Sequence, residues 1–202
     1  MAIKILIHAN AFQQEQWLLK PTSSNIELVF YKDEIIDADL YIDNNFNAET
    51  SVFSCITTKP ILTNTIQENL PHNFINYNGW NTCIKNNTIE IGKVPEIFID
   101  TIKEICEAAN WKLFMFSNLV GLPIQRTISM IINEAYFALE ANVSSKKDID
   151  IAMKLGTNYP YGPFEWSEKI GLIEIYSLLQ KLSIYDIKFI PCKLLEKEAT
   201  TK

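Results

Sequence analysis

Short apolar runs recur through the amino-terminal half of the chain: Ile3 to Ile7, Ile26 to Tyr31, Ala38 to Ile42, Pro60 to Leu62, Phe74 to Tyr77 and Thr88 to Ile91. Each is β-branched or aromatic and is bounded by Asn, Asp, Pro or Lys, the punctuation of strands. Gln13 to Leu19 fits one short helix between the first two runs. Ser51 to Ile56 is too short for periodicity to separate helix from strand. Buried strands with brief helical links predict an open, largely parallel α/β sheet under a thin helical layer.

Near Pro95 the period changes. Glu96 to Phe116 carries Ile97, Ile99, Ile102, Ile105, Cys106, Ala109 and Leu113 close to a 3.6-residue spacing, which predicts one amphipathic helix. Pro123 to Asn142 is apolar on most sides, as suits the middle of a bundle or a subunit contact. Ser145 and Asp148 form a capping box for a helix from Lys146 that stops at Gly156, where a left-handed residue is expected. Pro163 opens the next helix, and Gly171 separates it from Leu172 to Leu182. Glu196 to Lys202 reads as a polar, frayed tail. The change of texture predicts two domains, residues 1–95 and 96–202: an α/β part followed by an all-α helical bundle.

Composition narrows the partners. Hydrophobic residues make up 48% and charged residues 21%, enough to bury a real core. The net charge is −6 and Arg126 is the only arginine, so no basic stripe invites nucleic acid. The four cysteines form no C-x-x-C pair, and the start lacks the layout of a signal peptide. No apolar run approaches the roughly 20 residues needed to cross a bilayer. A cytoplasmic protein without membrane contact is expected.

Three motifs in the second half occur in a fixed order. They are Asn133-Glu134-Ala135, then Asp148-Ile149-Asp150-Ile151-Ala152-Met153-Lys154-Leu155-Gly156, then Tyr159-Pro160-Tyr161-Gly162-Pro163-Phe164-Glu165. This set resembles the helical domain of the 3-hydroxyacyl-CoA dehydrogenases of fatty-acid β-oxidation. The first half is similar to that family's Rossmann domain in outline: Ala38-Asp39-Leu40-Tyr41-Ile42-Asp43 and Pro60-Ile61-Leu62-Thr63-Asn64-Thr65 look like two of its strands. The resemblance implies a shortened, degenerate Rossmann-like sheet followed by the family's helical carboxy-terminal domain.

It also implies a chemistry, which the residues meet only in part. Family members oxidise a 3-hydroxyl with NAD, using a His base held by a Glu twelve positions later. Glu90 matches the Glu and Asn81 the Asn of the family's His-x-x-Asn-Pro stretch, but Asn78 stands at the base. An amide cannot take a proton at neutral pH. The family's hydroxyl-bearing Ser falls at Ile66, and the Asn of its Gly-x-x-x-Asn-Arg helix start falls at Gln125. Arg126 is kept and is expected to pair with Glu134 or Glu140. The turn that would cradle the pyrophosphate, His8-Ala9-Asn10-Ala11-Phe12-Gln13, has no glycine, and the first glycine of the chain is Gly79.

Asp33 is the candidate acid for the ribose hydroxyls. His8 is expected to be a packed core residue, His72 an exposed loop residue, and Glu90 a partly buried carboxylate that hydrogen-bonds Asn78. Catalytic positions are thus Glu90, Asn78, Asn81 and Gln125, with activity in doubt and no cofactor expected. Two readings stay open. One is a shortened, non-catalytic relative that binds an acyl-CoA or assembles as a homodimer through its helical domain; the other is a divergent but active oxidoreductase on a 3-hydroxyacyl-CoA.

Overall fold

The computed structural model describes residues 2–46, 51–117 and 119–201. Lys202, at the end of the expected tail, lies outside them. The chain divides into two compact units, Met1–Leu122 and Pro123–Lys202.

In the first unit the six apolar runs are all strands, β1 (Ile3–His8), β2 (Ile26–Phe30), β3 (Leu40–Asp43), β4 (Ile61–Thr63), β5 (Phe74–Asn76) and β6 (Thr88–Ile91). Five of them form one parallel sheet in the order β2-β1-β3-β4-β5. The order reverses between β1 and β3, which pair directly, with His8 opposite Asp43 at their carboxyl ends. β1 is buried on both faces, as a central parallel strand must be. Ile5 and Ile7 pack with Trp17 of helix α1 (Ala11–Leu19), while Leu6 on the other face packs with Tyr41, Phe53 and Phe74. Ser51 to Ile56, ambiguous by period, is neither helix nor strand but a run of turns that seats Phe53 in this second core.

β6 leaves the main sheet. It pairs in parallel with a seventh strand, β7 (Lys112–Met115), which the expected helix over Glu96 to Phe116 had absorbed. That helix, α2, runs only over Glu96–Ala108. Asn110 then takes a left-handed conformation, φ 59°, and the Trp111 amide donates back to the Cys106 carbonyl at 2.8 Å. Leu113 continued the helical period only by coincidence. Because Ile102, Ile105, Cys106, Ala109 and Trp111 share a core with β1 and β3, the first unit reaches Leu122, past the expected limit at residue 95.

Among the described residues the second unit holds five helices: α3 (Pro123–Glu140), α4 (Lys146–Thr157), α5 (Pro163–Ile170), α6 (Leu172–Ser183) and α7 (Lys193–Thr200), with a short 3₁₀ turn at Ile187–Phe189. Gly156 does not stop α4; Asn158, φ 56°, supplies the left-handed cap two residues later. The expected frayed tail is instead α7, pinned by fully buried Leu195 and by Glu196 and Glu198, which accept from the hydroxyls of Tyr176 and Tyr136 at 2.7 and 2.8 Å. Among the described residues no helix is long and apolar enough to cross a membrane.

Candidate functional site

After β5 the chain doubles back along the end of β6. Tyr77 bridges Ile91 in antiparallel fashion, the Asn78 amide donates to the Glu90 carbonyl at 3.0 Å, and the Gly92 amide donates to the Asn76 carbonyl at 2.7 Å. This ladder sets the two side chains face to face. Asn78 Nδ2 donates to Glu90 Oε2 at 3.0 Å, and both residues are buried, 7% and 6% exposed. The other end of the amide is engaged too, since Asn78 Oδ1 accepts from the Trp80 amide at 3.4 Å. A buried carboxamide with both ends used can orient a neighbour but cannot move a proton.

Gly79 is required at the next position. A Cβ there would lie 2.6 Å from Cζ and the hydroxyl oxygen of the buried Tyr77 ring. Its backbone is clamped by two amide side chains: Asn64 Oδ1 accepts from the Gly79 amide at 3.2 Å, and Asn44 Nδ2 donates to the Gly79 carbonyl at 3.3 Å. Asn44 is itself held by Trp17 Nε1 at 3.0 Å. Asn81 accepts on Oδ1 from Gln13 Nε2 at 3.3 Å, so the first turn of α1 reaches the loop of the expected base. The structure thus brings Asn78 and Glu90 together and ties Asn81 to Gln13. Gln125 is buried on α3 in the second unit. Gln13 and Asn44 were missed as site residues because their contacts with this loop span 68 and 35 positions.

The turn after β1 is built around Asn10. Its Oδ1 accepts from the Gln13 amide at 3.0 Å, and Gln13 Oε1 accepts from the Asn10 amide at 3.0 Å, a reciprocal cap. The amides of Ala11 and Phe12 precede the first intrahelical bond, Gln14 to Asn10, and have no partner inside the helix. His8 departs from the expected core residue. Its side chain is 26% exposed, and Nδ1 lies 2.8 Å from Oδ1 of the buried Asp43. Asp43 also accepts from the Asn45 amide at 3.2 Å and from Ser51 Oγ at 2.5 Å. Asp33 is exposed with φ 60°, a left-handed turn after β2, and His72 is exposed in its loop. No cluster of three or more His, Cys, Asp or Glu suited to a metal occurs among the described residues.

In the helical unit the three motifs have packing roles. Asp150 of α4 caps α5 in place of a local residue, accepting from the Phe164 and Glu165 amides at 2.8 and 3.2 Å. Burial pushes its carboxyl above the usual range, against the pull of those two amides. Gly162 must be glycine because a Cβ there would overlap the Asp150 carboxylate. Glu165 reaches back to the Gly162 amide at 3.0 Å and pairs with Lys154, which holds its carboxyl below the ordinary range. Asn133 docks the approach to α7, donating to the Ile190 carbonyl at 2.9 Å and accepting from the Cys192 amide at 2.8 Å. Arg126 lies over the Phe189 ring, 4.9 Å from its centroid.

A parallel sheet with its switch point between β1 and β3, followed in sequence by a unit of helices, defines a Rossmann-like α/β unit with a separate helical domain. Residues 121–201 match the profile of the 3-hydroxyacyl-CoA dehydrogenase C-terminal domain. The likeness to the 3-hydroxyacyl-CoA dehydrogenases is thus carried by the helical unit. The chain is 47% identical over 81 residues to 3-hydroxyadipyl-CoA dehydrogenase of Escherichia coli K12, covering 39% of this chain and 17% of that protein. The crystal structure of (S)-3-hydroxybutyryl-CoA dehydrogenase from Ralstonia eutropha has the same fold at 17% identity, TM-score 0.70, covering 98% of this chain and 93% of the other. A pyridine carboxylic acid dehydrogenase described as an NAD+-dependent dismutase aligns at 14% identity with TM-score 0.59, covering 100% of this chain and 82% of the other. The matched stretches span only 17% to 42% of the curated relatives.

These findings overturn one expectation. The relatives are dehydrogenases, whose reaction hands a hydride to NAD, so a cofactor is to be expected and not its absence. The missing glycines were too narrow a criterion. The β1–α1 turn presents two backbone amides ahead of the first helical bond, a feature that does not depend on glycine.

Proposed function

We propose that this protein is a 3-hydroxyacyl-CoA dehydrogenase-like protein that binds an acyl-CoA without oxidising its 3-hydroxyl. The Asn78–Glu90 hydrogen bond supports this reading, because the resemblance implies a base at the sequence position that Asn78 occupies. NAD, when bound, supplies a hydride acceptor; the Asn78 amide supplies no proton acceptor to go with it. Removal of a general base costs on the order of 10² to 10⁴ in rate. With saturating NAD and 3-hydroxybutyryl-CoA, turnover should stay at background from about pH 6 to about pH 10. Acetoacetyl-CoA should nevertheless bind saturably. Turnover well above background, or no binding, would sink the reading.

The same protein assembles as a homodimer through its helical unit. In support, Met130, Ile131, Ala138, Ile149 and Met153 line an apolar groove on that unit. Phe137, Ile151 and Leu155 are 40%, 41% and 82% exposed, more apolar surface than one small unit is expected to leave open. Light scattering should give twice the chain mass at tens of micromolar; a monomer would refute it. A reducing cytoplasm agrees with four free cysteines.

A further inference from the structure

We propose that Asn78–Gly79 is a self-modification site, held closed in the folded protein by the side chains that clamp Gly79 and converted to an aspartyl residue beside Glu90 when that clamp loosens. The sequence supplies the reactive pair. Asn78–Gly79 is the single Asn-Gly step in the chain. An asparagine side chain can be attacked by the backbone nitrogen of the next residue, an intramolecular encounter of high effective concentration. Glycine at that next position has no Cβ to keep the nitrogen away from the side-chain carbon.

The reaction balances without a redox partner. The Gly79 nitrogen gives its proton to water and bonds to Cγ of Asn78, while Nδ2 leaves as ammonia and an imide ring closes. Water then opens the ring. Breaking the new Cγ–N bond gives an aspartyl residue; breaking the bond to the backbone carbonyl gives its isoaspartyl isomer. Water enters, ammonia leaves, and nothing is oxidised or reduced.

The fold opposes the first step at both ends. Attack needs a free Gly79 nitrogen, but its N–H donates to Asn64 Oδ1 at 3.2 Å and to the Tyr77 carbonyl at 3.1 Å. Attack also needs the peptide plane to turn. Asn44 Nδ2 holds the Gly79 carbonyl at 3.3 Å, and the Tyr77 ring packs so closely that a Cβ on Gly79 would lie 2.6 Å from it. The Asn78 amide is fixed by Glu90 and the Trp80 N–H, and the residue is 7% exposed. The product does not suit this arrangement. A carboxylate has no proton to donate to Glu90, and two buried carboxylates side by side repel until one of them takes a proton. Conversion therefore runs one way and puts an ionisable group where the loop had an amide.

Mass spectrometry of the peptide carrying residues 78 and 79 reads the exchange of ammonia for water in the full chain, aged at mildly alkaline pH. In urea the site should convert. In native buffer it should convert roughly a hundredfold more slowly, the worth of three hydrogen bonds. Asn64→Leu removes the acceptor on the Gly79 N–H while keeping bulk, and should convert about fivefold faster than wild type in native buffer, the worth of one bond. Asn64→Asp keeps an acceptor and should stay slow. Near-UV circular dichroism checks that each variant is folded; if Asn64→Leu is not, Asn44→Leu, which frees the Gly79 carbonyl, takes its place with the same expected rise. The proposal goes beyond the acyl-CoA reading and does not rest on it. No conversion in urea, a native rate equal to the urea rate, or a folded clamp variant no faster than wild type overturns it.

Discussion

Replacing Lys20 by methionine tests how the end of α1 supports the Asn78–Glu90 loop. Lys20 is only 4% exposed, and its ammonium donates to the carbonyls of Ile84 and Thr88 at 3.2 and 3.3 Å and to that of Asn86. These carbonyls belong to the segment that leads into β6 and so to Glu90. The faces of Trp17 and Trp111 flank the charge, 5.7 and 5.0 Å from their centroids. Methionine matches the stem but leaves the carbonyls short of a donor, at a cost of about 1–3 kcal/mol.

The pH dependence is sharper. Burial pulls the Lys20 ammonium down to about 8 from 10.5. Between these values the unfolded chain binds more protons than the folded one, so this residue's contribution to stability rises with pH through the window. For a folded value near 8 the gain reaches roughly 2 kcal/mol by about pH 9.5, and it is absent in the methionine variant. Urea unfolding of both proteins at about pH 7 and about pH 9.5 measures the gap, and the difference between the two proteins removes the common effect of the tyrosines. The gap should widen by about 2 kcal/mol. A gap that stays constant would show that the ammonium is not held in a buried, charge-disfavouring setting.

Two other outcomes concern the helical unit. Gly162→Ala should lower stability by about 2–3 kcal/mol, because the new Cβ must displace the Asp150 carboxylate from the two amides of α5; a thermal melt within a degree of wild type would contradict this. Leu195→Ala should cost about 2–5 kcal/mol by denaturant unfolding, since the side chain is fully buried under α7, and a frayed tail would show no loss.

The strands of the first unit were legible because each is a short, dense apolar run with polar ends, and all six lie within two residues of the predicted places. The helical unit was legible for a different reason: Asp150, Gly162 and Asn133 are tied to exact partners, so their spacing in sequence is constrained by contact. Three things were hidden. β7 shares a helix-like period with α2 and is revealed only by its pairing with β6. α7 is polar on its outer face, and its buried side, Leu195, is too short a signal to predict docking. His8 was expected in the core because its partner, Asp43, is 35 positions away and becomes its neighbour only through parallel pairing.

The same long-range pairing decides what the first unit can do. Around Gly79 the side chains that hold the loop are Asn44, Asn64 and Asn78, and Gln13 holds Asn81 beside it. Every one is an amide, which gives and accepts hydrogen bonds but exchanges no proton at neutral pH. Such a set fixes a loop in one shape over the whole working range, which suits recognition and not acid–base chemistry. Glu90, the ionisable residue bonded to Asn78, is buried, and the amide it faces has no proton to exchange with it. At the end of β1 stands His8, 26% exposed and braced by the Asp43 carboxylate. The amide-held loop therefore offers fixed hydrogen-bonding geometry and no proton relay of its own.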